Sequence, residues 1–99
     1  MEKFNELISS DKPTLVDFFA TWCGPCQAQL PVLSELKEEI KDRASIIKID
    51  VDKNQNLAMQ YRVMSVPTLI IFKSGNAIWR ESGFHDKDTL LKVINSITQ

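Results

Sequence analysis

The sequence holds two cysteines, Cys23 and Cys26, and their spacing is the first feature in it that could do chemistry. In Cys23-Gly24-Pro25-Cys26 a separation of three puts both sulfurs on one side of a first helical turn, near enough to close a small disulfide ring. A ring that short constrains almost nothing in the unfolded chain, so stabilisation is a poor reason for the pair. Two cysteines are also too few for the multi-bridge framework of a small secreted domain. Half a zinc site would use the same spacing, but a tetrahedral ion normally takes four ligands, and the chain offers one histidine, His85, and no further cysteine. No metal and no bound cofactor is expected. Buried, inert cysteines are a second competing reading, against which the adjoining Gly-Pro and the strand-to-helix junction argue for exposure of the first sulfur.

Placed between a strand and a helix, the pair is a redox signal with a mechanism. Cys23 sits where unsatisfied backbone N–H groups and the positive end of the helix dipole favour a thiolate, which makes it the expected nucleophile. An attacking thiolate forms a mixed disulfide with its substrate, and a second thiol must release the product; Cys26, one turn deeper, fits that resolving role. Gly24 lets the backbone turn closely beside the nucleophile, and Pro25 sits near the helix start, where its missing N–H would have no helical acceptor.

The elements that must position these groups follow from the pattern of apolar residues. Phe4, Leu7 and Ile8 recur at helical spacing, and Pro13 marks the break after them. Thr14 to Ala20 is β-rich and apolar on both faces, as in a strand covered by helices on either side, apart from the carboxylate of Asp17. Burial would raise the pKa of that carboxyl group and suit it to accept or donate a proton near Cys26. Leu30, Leu33, Leu36 and Ile40 form a helical stripe running to about Asp42, kinked at Pro31. Ser45 to Val51 is a second strand, in which Lys48 either pairs with Asp17 across the sheet or snorkels at the sheet margin. Asn54 to Tyr61 has the composition of a short helix. Thr68 to Lys73 and Ala77 to Ser82 are strands joined by Ser74-Gly75-Asn76, which supplies hairpin chemistry. Asp86 is placed to cap a last helix with Leu90, Leu91, Ile94 and Ile97 on its apolar face. The order predicts an α/β fold, a mixed sheet with helices on both faces, in one domain over residues 1–99.

Composition bounds the partners. Twelve basic and 13 acidic side chains nearly cancel and form no long run of one sign, which removes the footprint of a nucleic-acid binder. No apolar stretch approaches the roughly 20 residues that cross a bilayer, so no membrane partner is expected. The N-terminus lacks a signal peptide's basic region followed by an apolar one, and the chain reads as cytoplasmic.

Asp17-Phe18-Phe19-Ala20, Trp22-Cys23-Gly24-Pro25-Cys26, Val66-Pro67-Thr68, and then Gly75 and Gly83 at matching distances together resemble the thioredoxin family over nearly the whole chain. The resemblance implies the thioredoxin fold and a general reductant of protein disulfides, restored by a flavin-dependent thioredoxin reductase and acting as a monomer through its own cysteine pair. It implies that Asp17 is the buried proton-transfer carboxylate. It also implies that Pro67 is a cis proline opposite the disulfide, leaving the Val66 backbone free to pair with an extended substrate segment. The residues alone allow Pro67 to be simply the first residue of a strand. Trp22, Val66, Pro67 and the Gly83 loop would form a shallow face for substrate, with Trp22 covering the site or packing in the core. An oxidant, isomerase or export-side reductant on the same fold is the runner-up, and a redox-sensing or binding module is the alternative from another class.

The chain departs from the family pattern in several places. Only three residues precede Phe4, so the sheet has four or five strands depending on whether the usual opening strand exists. Gln27 stands where lysine is frequent, Phe19 where a second tryptophan is frequent, and Phe84 where a small residue is common. His85 is expected to face solvent from a loop, Trp79 and Tyr61 to pack partly on the surface, and Met59 and Met64 to fill gaps in the core.

Overall fold

A computed structural model describes residues 2–98 of the chain. Its elements are α1 (Glu2–Ile8), β1 (Thr14–Phe19), α2 (Gly24–Ile40), β2 (Ser45–Asp50), α3 (Gln55–Gln60), β3 (Thr68–Lys73), β4 (Asn76–Ser82) and α4 (Lys87–Ile97). The four strands form one sheet in the order β2-β1-β3-β4. The pairing of β1 with β2 is parallel, and the other two pairings are antiparallel. Of the two strand counts allowed by the sequence, the described residues have the smaller.

The period-two geometry of a strand divides the core in two. Leu15 of β1 and Leu69 and Ile71 of β3 point to one face, where Leu33, Leu36 and Ile40 of α2 and Leu90 and Ile94 of α4 cover them. Val16, Phe18, Ile70 and Phe72 point to the other, against Phe4 and Ile8 of α1 and Leu57 of α3. That double cover is why the two central strands are apolar on both sides, whereas of the edge strands β2 is only half-buried and β4 mostly exposed. By the same alternation Asp17 shares the face of Leu15, the face on which the long helix α2 lies.

The buried residues of α2 are Cys26, Gln29, Leu33, Leu36 and Ile40, spaced three and four apart as one helical stripe. The helix continues through Pro31 and stops at Ile40, two residues before the expected end; Lys41–Arg43 form a tight 3-10 turn instead, with Lys41 at a φ of 49°. The β3–β4 hairpin turns on Ser74 and Gly75, at φ of 52° and 84°. Left-handed backbone at both central residues is what a two-residue turn needs to match the twist of its strands. Asp86 caps α4 by accepting from the Thr89 N–H at 2.8 Å.

Two expectations about packing fail. Met59 and Met64 are 73% and 92% exposed, not core fillers: α3 buries only Leu57 and Ala58, so Met59 falls on its outer side, and Met64 lies in the loop before Pro67. His85 does not simply face solvent. It is partly buried, its ring meets Trp79 edge-on at 5.7 Å, and its backbone is held from within the protein by Gln29.

Candidate active site

The last residue of the turn after β1 is Cys23, which is also the residue that caps α2. Its backbone is extended (φ −92°, ψ 117°), and its sulfur accepts the Cys26 N–H at 3.2 Å. Cys23 and Cys26 are joined as a disulfide, with Cα atoms 5.2 Å apart, in the ordinary range for such a bond. The first sulfur thus stands on an otherwise unsatisfied N–H at the positive end of a 17-residue helix, an arrangement that favours negative charge there once the bond is opened. Exposure of the first sulfur is much smaller than its sequence context suggested: Cys23 is 5% accessible and Cys26 1%. Phe19, Val51 and Val66 pack round the pair, and the Val66 carbonyl oxygen lies 3.5 Å from Cys23 Sγ. Of the two, Cys23 is the more accessible to a reagent.

Gly24 and Pro25 are exposed and open the helix. A Cβ at position 24 would meet nothing within 4 Å, so glycine there leaves free space beside the nucleophile; no close backbone approach within the chain demands it. Trp22 is 72% exposed and takes no part in the core. Its indole Nε1 donates to Asp52 Oδ2 at 2.9 Å, which fixes the ring at the rim of the site. Nothing in the sequence signalled Asp52.

On β1, the strand that leads to the cysteines, Asp17 is fully buried, and neither carboxyl oxygen has a hydrogen-bond partner among the described residues. Burial pushes its pKa up to about 6, with Lys48 pulling weakly the other way. Lys48 lies directly opposite Asp17 in the parallel register of β1 and β2. The two form no salt bridge: β2 is an edge strand, and the exposed Lys48 lines a surface groove with Leu33, Lys37 and Ile46. The lysine therefore acts on Asp17 at a distance.

The other wall comes from two loops. The Val66–Pro67 peptide is cis. The Pro67 carbonyl accepts the Gly83 N–H at 2.8 Å, and Gly83 has a φ of 88°, a conformation open to glycine. Trp22, Val66, Pro67 and Gly83 are thereby gathered round Cys23, with Phe84 half-exposed beside Gly83. One polar residue of this region escaped the sequence reading. Gln29 is fully buried and bonded through both ends of its amide to the backbone of His85. Its position three residues after Cys26, on the apolar stripe of α2, was the available signal.

Among the described residues no helix is long and apolar enough to cross a membrane, and no grouping of three or more metal-type ligands occurs. The redox-active group is the chain's own cysteine pair. The family model for thioredoxin matches residues 1–96. A thioredoxin of Staphylococcus aureus is 49% identical over 81 residues, covering 82% of this chain and 78% of that protein. The bifunctional thioredoxin reductase/thioredoxin of Mycobacterium leprae (strain TN) is 42% identical over 94 residues, 95% of this chain but 20% of that protein, so the chain spans a fifth of its length. Among solved structures, a mutant thioredoxin from Halobacterium salinarum NRC-1 superposes with a TM-score of 0.91 at 40% identity, covering all of this chain and 86% of that one. A disulfide capping the helix after β1, a buried carboxylate on β1, and these matches together establish that the chain belongs to the thioredoxin family.

Proposed function

We propose that the chain reduces disulfide bonds in proteins by dithiol–disulfide exchange. In the reduced form the Cys23 thiolate attacks one sulfur of a substrate disulfide; that bond breaks, a mixed disulfide forms, and the departing substrate thiolate takes up a proton. Asp17, ionised above its raised pKa, accepts the proton of Cys26, whose thiolate then attacks Cys23 and releases the second substrate thiol. Two electrons pass to the substrate sulfurs, which take up one proton that Asp17 relays from Cys26 and one from solvent, and the Cys23–Cys26 disulfide is left behind. Lys48 tunes Asp17 through its charge. Trp22, Gly24, Pro25, Val66, Pro67 and Gly83 form the face on which substrate backbone docks, with the Val66 main chain beside the reacting sulfur.

The observation that carries this reading is the Cys26 N–H on the sulfur of a helix-capping Cys23, with Cys26 buried behind it. A first sulfur with a small accessible area and a second that is almost wholly buried is the order the two-step exchange requires. The partner that restores the dithiol is a flavin-dependent thioredoxin reductase, a reading supported by the Mycobacterium leprae relative, in which both activities are named for one protein. We place the chain, as a monomer, in a reducing compartment such as the cytoplasm, where a reductant of this kind can be kept reduced.

Replacement of each cysteine tests the order of attack. With a protein disulfide as substrate, Cys23→Ala should abolish turnover, while Cys26→Ala should accumulate substrate held covalently through Cys23. Full multiple turnover by Cys23→Ala, or trapping through position 26 in that variant, would overturn the assignment.

A further inference from the structure

Gln29 is a fully buried polar side chain for which the exchange reaction has no role. Gln29 lies on the same stripe of α2 as Cys26 and Leu33, at a place where leucine would complete the apolar face. Its Nε2 donates to the His85 carbonyl and its Oε1 accepts the His85 N–H, each at 2.9 Å. A side-chain amide bonded to both polar groups of one residue fixes position and direction as a neighbouring strand does. A buried amide that loses such partners is penalised, so the glutamine and the loop hold each other in one arrangement.

The segment held in this way is Gly83-Phe84-His85. Its far end is tied to the cis-proline loop by the Gly83 N–H on the Pro67 carbonyl, and His85 Nδ1 donates to the Gly83 carbonyl at 2.9 Å. A closed circuit results: Cys23 Sγ touches the Val66 carbonyl, Pro67 bonds Gly83, His85 bonds Gln29, and α2 runs from Gln29 back to Cys26 and Cys23. Gln29 is the link that joins the substrate-facing loop to the redox helix. The half-exposed Phe84 stands at the outer tip of that loop.

Resting on the reductase reading above, we propose that Gln29 is a positioning residue: it sets the placement of the Gly83–His85 loop, and of Phe84 on it, against the redox helix, and so governs how well a protein disulfide docks. It touches neither sulfur. A small disulfide needs only the opening at Cys23, whereas a protein needs the surrounding face as well. The effect of losing the amide therefore appears in the ratio of the two substrates.

The test compares wild type with Gln29→Met, a substitution that keeps length and apolar volume but neither hydrogen bond. Insulin is the protein disulfide, turned over with dithiothreitol as reductant; dithiobis-nitrobenzoate is the small one, mixed with pre-reduced protein free of other thiols because dithiothreitol would reduce it directly. The expected result is an insulin KM raised about tenfold with the insulin kcat held, while the rate constant for the small disulfide stays unchanged. In the background of Phe84→Ala that rise should shrink, because both changes act on the same loop. If the wild type reduces neither disulfide, the reductase reading falls and takes this proposal with it. If it reduces both, and Gln29→Met shifts the two equally or not at all, only the role of Gln29 is overturned. Should the variant fail to fold, amide exchange in the wild type decides: a His85 N–H as slow as those of α2 supports the proposal, and one as fast as that of exposed Asp86 overturns it.

Discussion

Asp17 is a residue whose environment works against the fold. A carboxyl group with no partner, fully buried between β1 and α2, is more stable protonated, which is why its pKa stands at about 6 instead of 3.8. The folded state therefore binds this proton more tightly than the unfolded state. Its burden on stability is absent below the unfolded value of 3.8, grows as pH rises towards about 6, and is constant above. Replacing it by asparagine, whose own buried amide takes back part of the gain, should stabilise the oxidised protein at neutral pH by about 1–3 kcal/mol. Urea unfolding of wild type and Asp17→Asn at pH 7 and at pH 4 measures this. The difference should be large at the first pH and small at the second, and a less stable variant at pH 7 would contradict the destabilising effect of burial. The same substitution should prolong the mixed disulfide, since Cys26 loses its proton acceptor. Much of this was legible in the sequence, because a lone carboxylate in a doubly covered apolar strand costs the fold stability that only a chemical use repays. The exposed position of Lys48 was not: nothing in Ile47-Lys48-Ile49 says that its strand lies at an edge.

Among the elements, α2 joins chemistry to stability. One stripe of side chains carries the resolving Cys26, the bridging Gln29, and then Leu33, Leu36 and Ile40, which fill the core under β1 and β3. Leu36 is fully buried, and Leu36→Ala should destabilise the fold by about 2–5 kcal/mol, measured by denaturant unfolding. Its effect on the disulfide exchange rate of the molecules that remain folded should be slight, because the cavity it opens lies more than two turns beyond the sulfurs. The hairpin between β3 and β4 offers a contrasting case. At Gly75 a Cβ meets no atom within 4 Å, yet φ is 84°, so Gly75→Ala should lower stability by about 1 kcal/mol through backbone strain alone. An unchanged unfolding midpoint would show that the turn relaxes. Element identities were readable from apolar spacing and turn chemistry throughout. Boundaries slipped by a residue or two where the reason is local: α2 gives way to a 3-10 turn at Lys41, and β1 ends before the turn that delivers Cys23. Met59 misled because composition cannot say that α3 is too short to bury more than Leu57 and Ala58, and Met64 because it falls in the loop before Pro67.

For the whole molecule, the sheet order puts the cap of α2, the Val66–Pro67 loop and the Gly83 loop at one end of the sheet, and the hairpin at the other. Long-range placement of this kind was visible only through the family resemblance, since pattern alone cannot say which loops meet. With a net charge of −1, general attraction between charges contributes little, and recognition falls to the contoured face round Cys23. Whether the Cys23–Cys26 pair serves as a reductant is decided most directly by the reduction potential of the couple, measured by equilibration in graded thiol–disulfide buffers. A value close to the roughly −270 mV characteristic of thioredoxins is the expected result, whereas one near the −180 mV of an isomerase or the −120 mV of a strong oxidant would contradict a reducing role.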